Sequence, residues 1–232
     1  MRPRASCLTG VLAIVIGTAP AAAAEAPPTP PAKPSADIVV KSPAAPDQIQ
    51  QCLADLKAAG VAFQSLGTMT KEGCTVEGAV ELDAVASRFG KIILAGKPIL
   101  ACGFARQFTA WIGDVAAPLT LAYFGSKLSE VDIGAAFVCR NRYNLPGEKI
   151  SEHAKGDAVD VTAFRLENGR TLSVEASSAS AEIDGAWIKT LRATGCGYFT
   201  TILGPGSNEA HKAHLHFDYE MRGGNYNYRI CE

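Results

Sequence analysis

The sequence has almost no charge excess. Its 22 Lys and Arg residues stand against 23 Asp and Glu, a formal net charge of -1, which gives no electrostatic reason to expect nucleic acid or an anionic membrane surface as a partner. No CxxC pair occurs, and structural zinc-cysteine clusters usually show that spacing. The most apolar stretch, near the N-terminus, is well short of the ~20 residues of a membrane span. No repeat is visible, and helical and strand-like patterns do not alternate regularly. Histidine is scarce, with four in 232 residues.

What is present begins with Met1-Arg2-Pro3-Arg4, an apolar stretch from Leu8 to Ala24 and a closing run of alanines. A basic start, a short apolar middle and small residues at the end predict a secretory signal over 1–24. Cys7 precedes the apolar stretch and is expected to leave with it, which argues against a lipoprotein. Residues 25–46 are dense in Pro and Ala and predict a linker of extended, polyproline-like character. Residues 47–232 remain, apolar enough for one packed domain.

Six cysteines fall in that domain: Cys52, Cys74, Cys102, Cys139, Cys196 and Cys231. In an oxidising compartment they predict three disulfides, for which 15 connectivities exist. Pairing of nearest neighbours is the expectation: Cys52 with Cys74, Cys102 with Cys139, Cys196 with Cys231. Metal ligands must then come from other residues.

Apolar spacing predicts a helix from Asp47 to Ala59, short strands at 61–66 and 92–94, and between them a stretch from Gly67 past Val80 that holds turn residues. A second helix is predicted from Pro98 to Ile112, closed by Gly113. Strands are expected at 131–140 and 158–165, with Asn168-Gly169 turning the latter into a return strand at 171–174. A helix at 180–194 stopped by Gly195, then strands at 198–203 and 213–219, complete the map. The class is α+β, a mainly antiparallel sheet with helices packed on it.

All four histidines lie in two short segments, SEHAKGDAVD at 151–160 and HKAHLH at 211–216. Together they offer the nitrogen ligands that zinc prefers, with Asp160 as an oxygen ligand. In a strand His214 and His216 share one face while Ala213, Leu215 and Phe217 take the other. Gly156 and Ala158 are small enough for backbone to fold close to a metal.

At these residues the sequence resembles the zinc metallopeptidases that cleave D-alanyl-D-alanine, the murein endopeptidases and the hedgehog signalling domain. The signature is HxxxxxxD (His153, Asp160) followed by HxH (His214, His216). Ser151, His153, Gly156, Ala158 and Asp160 match the fuller form SxHxxGxAxD. The layout from Cys52 to Cys231 is similar to the bacterial extensin-like C-terminal domain, with Cys139-Arg140 ahead of the first segment and LGPGSNEAHKAHLHFD carrying the second. The resemblance implies a hedgehog-like or D,D-peptidase-like fold and Zn2+ bound by His153, Asp160 and His216. It further implies His214 beside the metal without ligating and His211 completing the HxxHxH spacing of the endopeptidases.

The expected activity is peptidoglycan hydrolysis in the periplasm or cell envelope, at stem peptides or cross-links. Stem peptides are the expected partners, with no nucleic acid and no stable membrane insertion after signal removal. His214 and His211 are the candidate acid-base pair, and Ser151 is a candidate substrate-binding residue that orients its loop. Arg140 either holds a substrate carboxylate or carbonyl or forms a structural salt bridge. The related carboxypeptidases and dipeptidases carry a glutamate where this chain has Ala213, which leaves Glu209 and Glu152 as spare bases. The alternative is a zinc-containing wall-binding or protein-binding domain without turnover.

Overall fold

The computed structural model describes residues 46–222 and 228–232. The expected signal and all of the linker but Pro46 lie outside them. The first described element is helix α1, Pro46–Ala58, with Cys52 and Leu56 buried on one face. Strands β1 (Ala62–Lys71) and β2 (Cys74–Ser87) form a long antiparallel hairpin. Its turn is Glu72-Gly73, both residues at positive φ, as a type I′ hairpin turn requires. The sequence predicts a strand only at 61–66 and a stretch holding turn residues from Gly67 past Val80, where the structure continues β1 and forms β2. Gly67 and Gly73 interrupt the apolar pattern, and β1 alternates poorly because it is a largely exposed strand, so the period-2 signal is weak.

Strand β3 (Gly90–Ala95) pairs with β2, and β4 (Ile99–Ala101) also lies on β2. The expected helix at 98 thus begins with three strand residues. Helix α2 spans Cys102–Trp111 and continues through a π-helical stretch, Ile112–Ala116, into α3, Ala117–Phe124. Gly113 does not stop it. A glycine inside a helix costs only about 1 kcal/mol, and Trp111, Ile112, Ala116 and Ala117 are all buried around this turn. The helix ends instead at Gly125, whose left-handed φ of 62° forms the cap.

Strand β5 (Leu128–Ala135) runs parallel to β3, and the helical crossover between them makes that direction possible. It ends five residues before Arg140, so the expected strand at 131–140 is too long. Strand β6 (Ala158–Leu166) pairs with β5 and turns into β7 (Thr171–Ser173). Short α4 (Val174–Ala179) and α5 (Ile183–Gly195) precede β8 (Thr201–Leu203), β9 (Leu215–Asp218) and β10 (Ile230–Cys231). All ten strands join one sheet, with β9 between β6 and β8. The class is α+β, but the sheet is mixed rather than mainly antiparallel, since β3 pairs parallel to β5 and β10 parallel to β8. Direction depends on how the chain returns, which strand patterns alone do not encode.

Phe104 and Phe108 from α2, with Trp111, Phe199 and Phe217, form an aromatic core. The Trp111 and Phe217 ring centroids are 4.7 Å apart. Burying such a side chain stabilises by roughly 1.5–3 kcal/mol, and here it anchors the apolar face of β9. The other face of β9 is thereby committed to the site.

Three disulfides close the fold, which suits an oxidising compartment. Cys196–Cys231 follows the nearest-neighbour expectation; Cys52–Cys102 and Cys74–Cys139 do not. Helix packing sets α1 against α2, and the hairpin turn carries Cys74 to the segment after β5. Among the described residues no helix is long and apolar enough to cross a membrane.

Candidate metal centre

Asp160 and His216 are directly opposite each other in the β6–β9 ladder. Opposed residues of an antiparallel pair put their side chains on the same face, so strand register alone brings carboxylate and imidazole together. His153 arrives from a one-turn 3₁₀ helix, Glu152–Lys155, immediately before β6. Ser151 caps that turn, its hydroxyl accepting from the His153 N–H at 3.3 Å. Gly156 ends it in the left-handed region at φ 69°, where a Cβ would lie 2.7 Å from the Ala101 nitrogen. Both motif residues therefore shape the bend that aims His153.

His153 Nε2 lies 3.2 Å from His216 Nδ1 and 3.4 Å from Asp160 Oδ1, and the latter is 2.9 Å from His216 Nδ1. Zinc ligands about 2.0–2.2 Å from the ion at tetrahedral angles stand roughly 3.3 Å apart, so these separations fit. The outward nitrogens settle which atoms face inward. His153 Nδ1 donates to the Ala136 carbonyl at 2.7 Å, leaving Nε2 with its lone pair toward the cluster. His216 Nε2 donates to Asp218 Oδ2 at 3.1 Å and turns Nδ1 inward, within hydrogen-bond distance of Asp160 Oδ1. A carbonyl or carboxylate behind a ligating histidine is the usual outer support of a metal site. These atoms converging in a buried corner need positive charge between them, either a metal ion or a proton that His216 Nδ1 donates to Asp160 Oδ1.

The protonation equilibria show the same demand for positive charge. Burial alone would push His216 down, but its hydrogen bonds to Asp160 and Asp218 raise it to about 9. Burial opposes the charge of Asp160, yet contacts with His153 and His216 hold its carboxyl far below the usual carboxylate range. Without a metal, a proton on His216 partly fills that role.

His214 stands beside the trio, Nε2 3.5 Å from Asp160 Oδ1 and half-buried. Burial keeps its imidazole below the ordinary histidine value despite the nearby Asp160 charge. His211 packs on His214 and His216, with ring centroids 5.2 and 5.4 Å away, and its Nδ1 contacts Asn208 Oδ1 at 2.7 Å. Burial, then the neighbouring imidazoles, push it down to about 4. The four histidines and Asp160 line one open cleft of about 570 Å³, together with Arg140 and Ser151.

The Arg140 guanidinium makes one long hydrogen bond, 3.4 Å to the Asn141 carbonyl, and no ion pair among the described residues, while its backbone carbonyl accepts from the Ser151 N–H at 3.1 Å. Glu152 is buried in the cleft wall with its carboxyl 2.6 Å from Lys155 Nζ, and burial raises its pKa despite that partner. Glu209 lies on the surface, paired with Lys212, and does not line the cleft. Sequence reasoning missed Asp218, although its spacing two residues after His216 puts it on the same strand face. It also missed Glu220, Arg222 and Arg142, an ion-paired set in the cleft wall, and the Ala136 carbonyl, for which no sequence signal exists.

Fold and site together define an α+β protein carrying a preorganised His-Asp-His corner at the edge of an open cleft. The family described as Extensin-like protein C-terminus matches residues 50–232, and the chain belongs to that family. No curated protein and no solved structure matches it.

Proposed function

We propose that this chain is an exported zinc peptidase that cleaves peptidoglycan stem peptides or their cross-links in the bacterial periplasm or elsewhere in the envelope. The observation that carries the reading is the convergence of His153 Nε2, Asp160 Oδ1 and His216 Nδ1 within 4.8 Å of one another, at the edge of an open cleft. Both imidazoles are oriented from behind, which is the construction of a site meant to keep its geometry. These three residues are the ones that would hold the ion; three protein ligands leave a position for water, as in catalytic sites. Zinc in such a site supplies acidification of a water and polarisation of a carbonyl.

The rest of the work falls to side chains of this chain. His214 Nε2 accepts a proton from the attacking water and returns it to the departing amine. His211, packed on the His214 ring, holds that ring in place. Arg140, with no carboxylate partner among the described residues, presents its two-pronged guanidinium to a substrate carboxylate or carbonyl. Export is supported by the signal-like N-terminus and by the three disulfides.

One observation favours a second reading, a zinc-containing binding domain without turnover. Ala213 stands where the related peptidases carry glutamate, and the nearest substitute in the motif, Glu152, is tied to Lys155. Digestion of purified sacculi followed by mass spectrometry of the soluble products separates the two. Wild type loaded with zinc is expected to release muropeptides, and His214→Ala to keep its zinc and fold while losing about 10²- to 10⁴-fold in rate. No cleavage by wild type would establish the binding domain instead; undiminished cleavage by His214→Ala would remove that residue from the acid-base role.

A further inference from the structure

Nine large hydrophobic side chains are exposed among the described residues. Six of them lie in the cleft lining or in the adjoining 138–150 segment: Val138, Tyr143, Leu145, Ile150, Met221 and Tyr228. Exposed apolar surface gathered at one place on a soluble domain marks a binding site more often than chance. Tyr143 and Tyr228 are the most open, 63% and 60% exposed, and both line the metal cleft.

The backbone under Tyr143 and the ring of Tyr228 are both held by construction. Tyr143 and Asn144 are consecutive non-glycine residues at φ 53° and 57°, a backbone state that costs on the order of 1–2 kcal/mol per residue. The loop around them is nevertheless fastened: Arg142 N–H donates to the Lys149 carbonyl at 2.9 Å, Asn144 and Leu145 close turns on Asn141 and Arg142, and Asn141 bridges Ile150. Tyr228 lies over the Arg222 guanidinium, 5.5 Å from ring centroid to Cζ. Arg222 is locked in turn by the Thr200 carbonyl, the Thr201 hydroxyl and Glu220, and Glu220 also binds Arg142. A continuous chain of ion pairs thus links the supports of the two tyrosines.

The charges of this wall identify the ligand class. Four basic and four acidic residues line the cleft, and those nearest the tyrosines are paired with one another. That balance gives no field to draw an anionic lipid surface or a polyanion. It does offer donors and acceptors side by side, next to amphipathic rings with an open apolar face. A pyranose ring has the matching chemistry, an apolar C–H face and a rim of neutral hydroxyls.

We propose that Tyr143 and Tyr228 form a sugar subsite at the mouth of the metal cleft, on which a pyranose of a polysaccharide strand stacks. The proposal rests on the stem-peptide reading: such a peptide hangs from a glycan strand, so the peptide enters toward His153, Asp160 and His216 while its sugar stays at the rim. The substrate class is then a glycan-linked peptide rather than a free one.

The test is titration of the mature chain with a soluble β-linked tetramer of N-acetylglucosamine, followed calorimetrically. The probe carries no peptide bond to cut, and chelator-treated protein is measured alongside, so the outcome does not depend on whether the chain is a peptidase. Wild type is expected to bind with or without metal. Tyr143→Ala and Tyr228→Ala each weaken binding at least about fivefold at unchanged Tm and zinc content, as for a tyrosine anchor, and Tyr143→Phe retains it. Absence of binding at millimolar tetramer, or equal binding by both alanine variants, overturns the subsite. Adsorption to anionic phosphatidylglycerol vesicles that is lost in the alanine variants, with no sugar binding, would assign the rim to a membrane and overturn it equally.

Discussion

Asp160 and His216 stand on adjacent strands whose ladder sets them opposite each other, whereas His153 stands on a one-turn 3₁₀ helix and Arg140 on a loop, both outside the sheet. On the first side, geometry follows from strand register and from the aromatic core that seats β9. On the second side it follows from separate local devices: the Ser151 cap, the bend at Gly156, the Ala136 carbonyl behind His153, and the Cys74–Cys139 bridge one residue before Arg140. A cluster of three ligands needs both kinds of support to the same tolerance. The strand side should therefore keep its backbone geometry through changes elsewhere in the fold, whereas the loop side should lose it when its disulfide tether is removed.

The largest effect is expected from the ligands themselves, irrespective of side. Alanine at His153, Asp160 or His216 should abolish stoichiometric zinc, since two ligands do not hold a catalytic-type ion tightly. Metal analysis of purified variants checks this, and full zinc in His216→Ala would show that the assigned set is wrong.

Next come the disulfides. Removing Cys74–Cys139 by paired serines, or Cys196–Cys231 likewise, should each cost about 4 kcal/mol in the chain-entropy view, read from urea unfolding. Only the first should also weaken zinc binding, because only it tethers the segment that carries Ala136 and Arg140. Equal zinc affinity in both double variants would erase the distinction between the two sides.

A smaller effect is expected at Asp218, the outer partner on the strand side. Asp218→Asn keeps the shape but not the charge, and zinc affinity measured by chelator competition should fall about 10- to 100-fold. The smallest is Ser151→Ala, which removes a long capping bond and should cost about 0.5–1 kcal/mol of stability. A melting curve superimposable on wild type would mean that Gly156 alone shapes the turn.

Much of the site was legible in the chain because its residues lie in two short segments. Within each, local rules apply: alternate residues of a strand share a face, and a serine two residues before His153 caps its turn. The same alternation, carried two residues further, would have pointed to Asp218. Elements were legible where pattern and burial agree, as in α1, α5 and β6. They were misread where a strand is largely exposed, as in β1, or where a helix runs through a glycine, as at Gly113.

By itself, then, the sequence determined the candidate ligand types, their grouping, the α+β class and the presence of six cysteines able to pair. Tertiary structure alone decided the rest. Which cysteines meet, where β3 and β5 run parallel, how the Ala136 carbonyl reaches His153 and how Arg142, Glu220 and Arg222 link two tyrosines all depend on residues far apart in the chain. Such contacts arise from packing of the whole sheet and its helices against one core, and no local spacing encodes them.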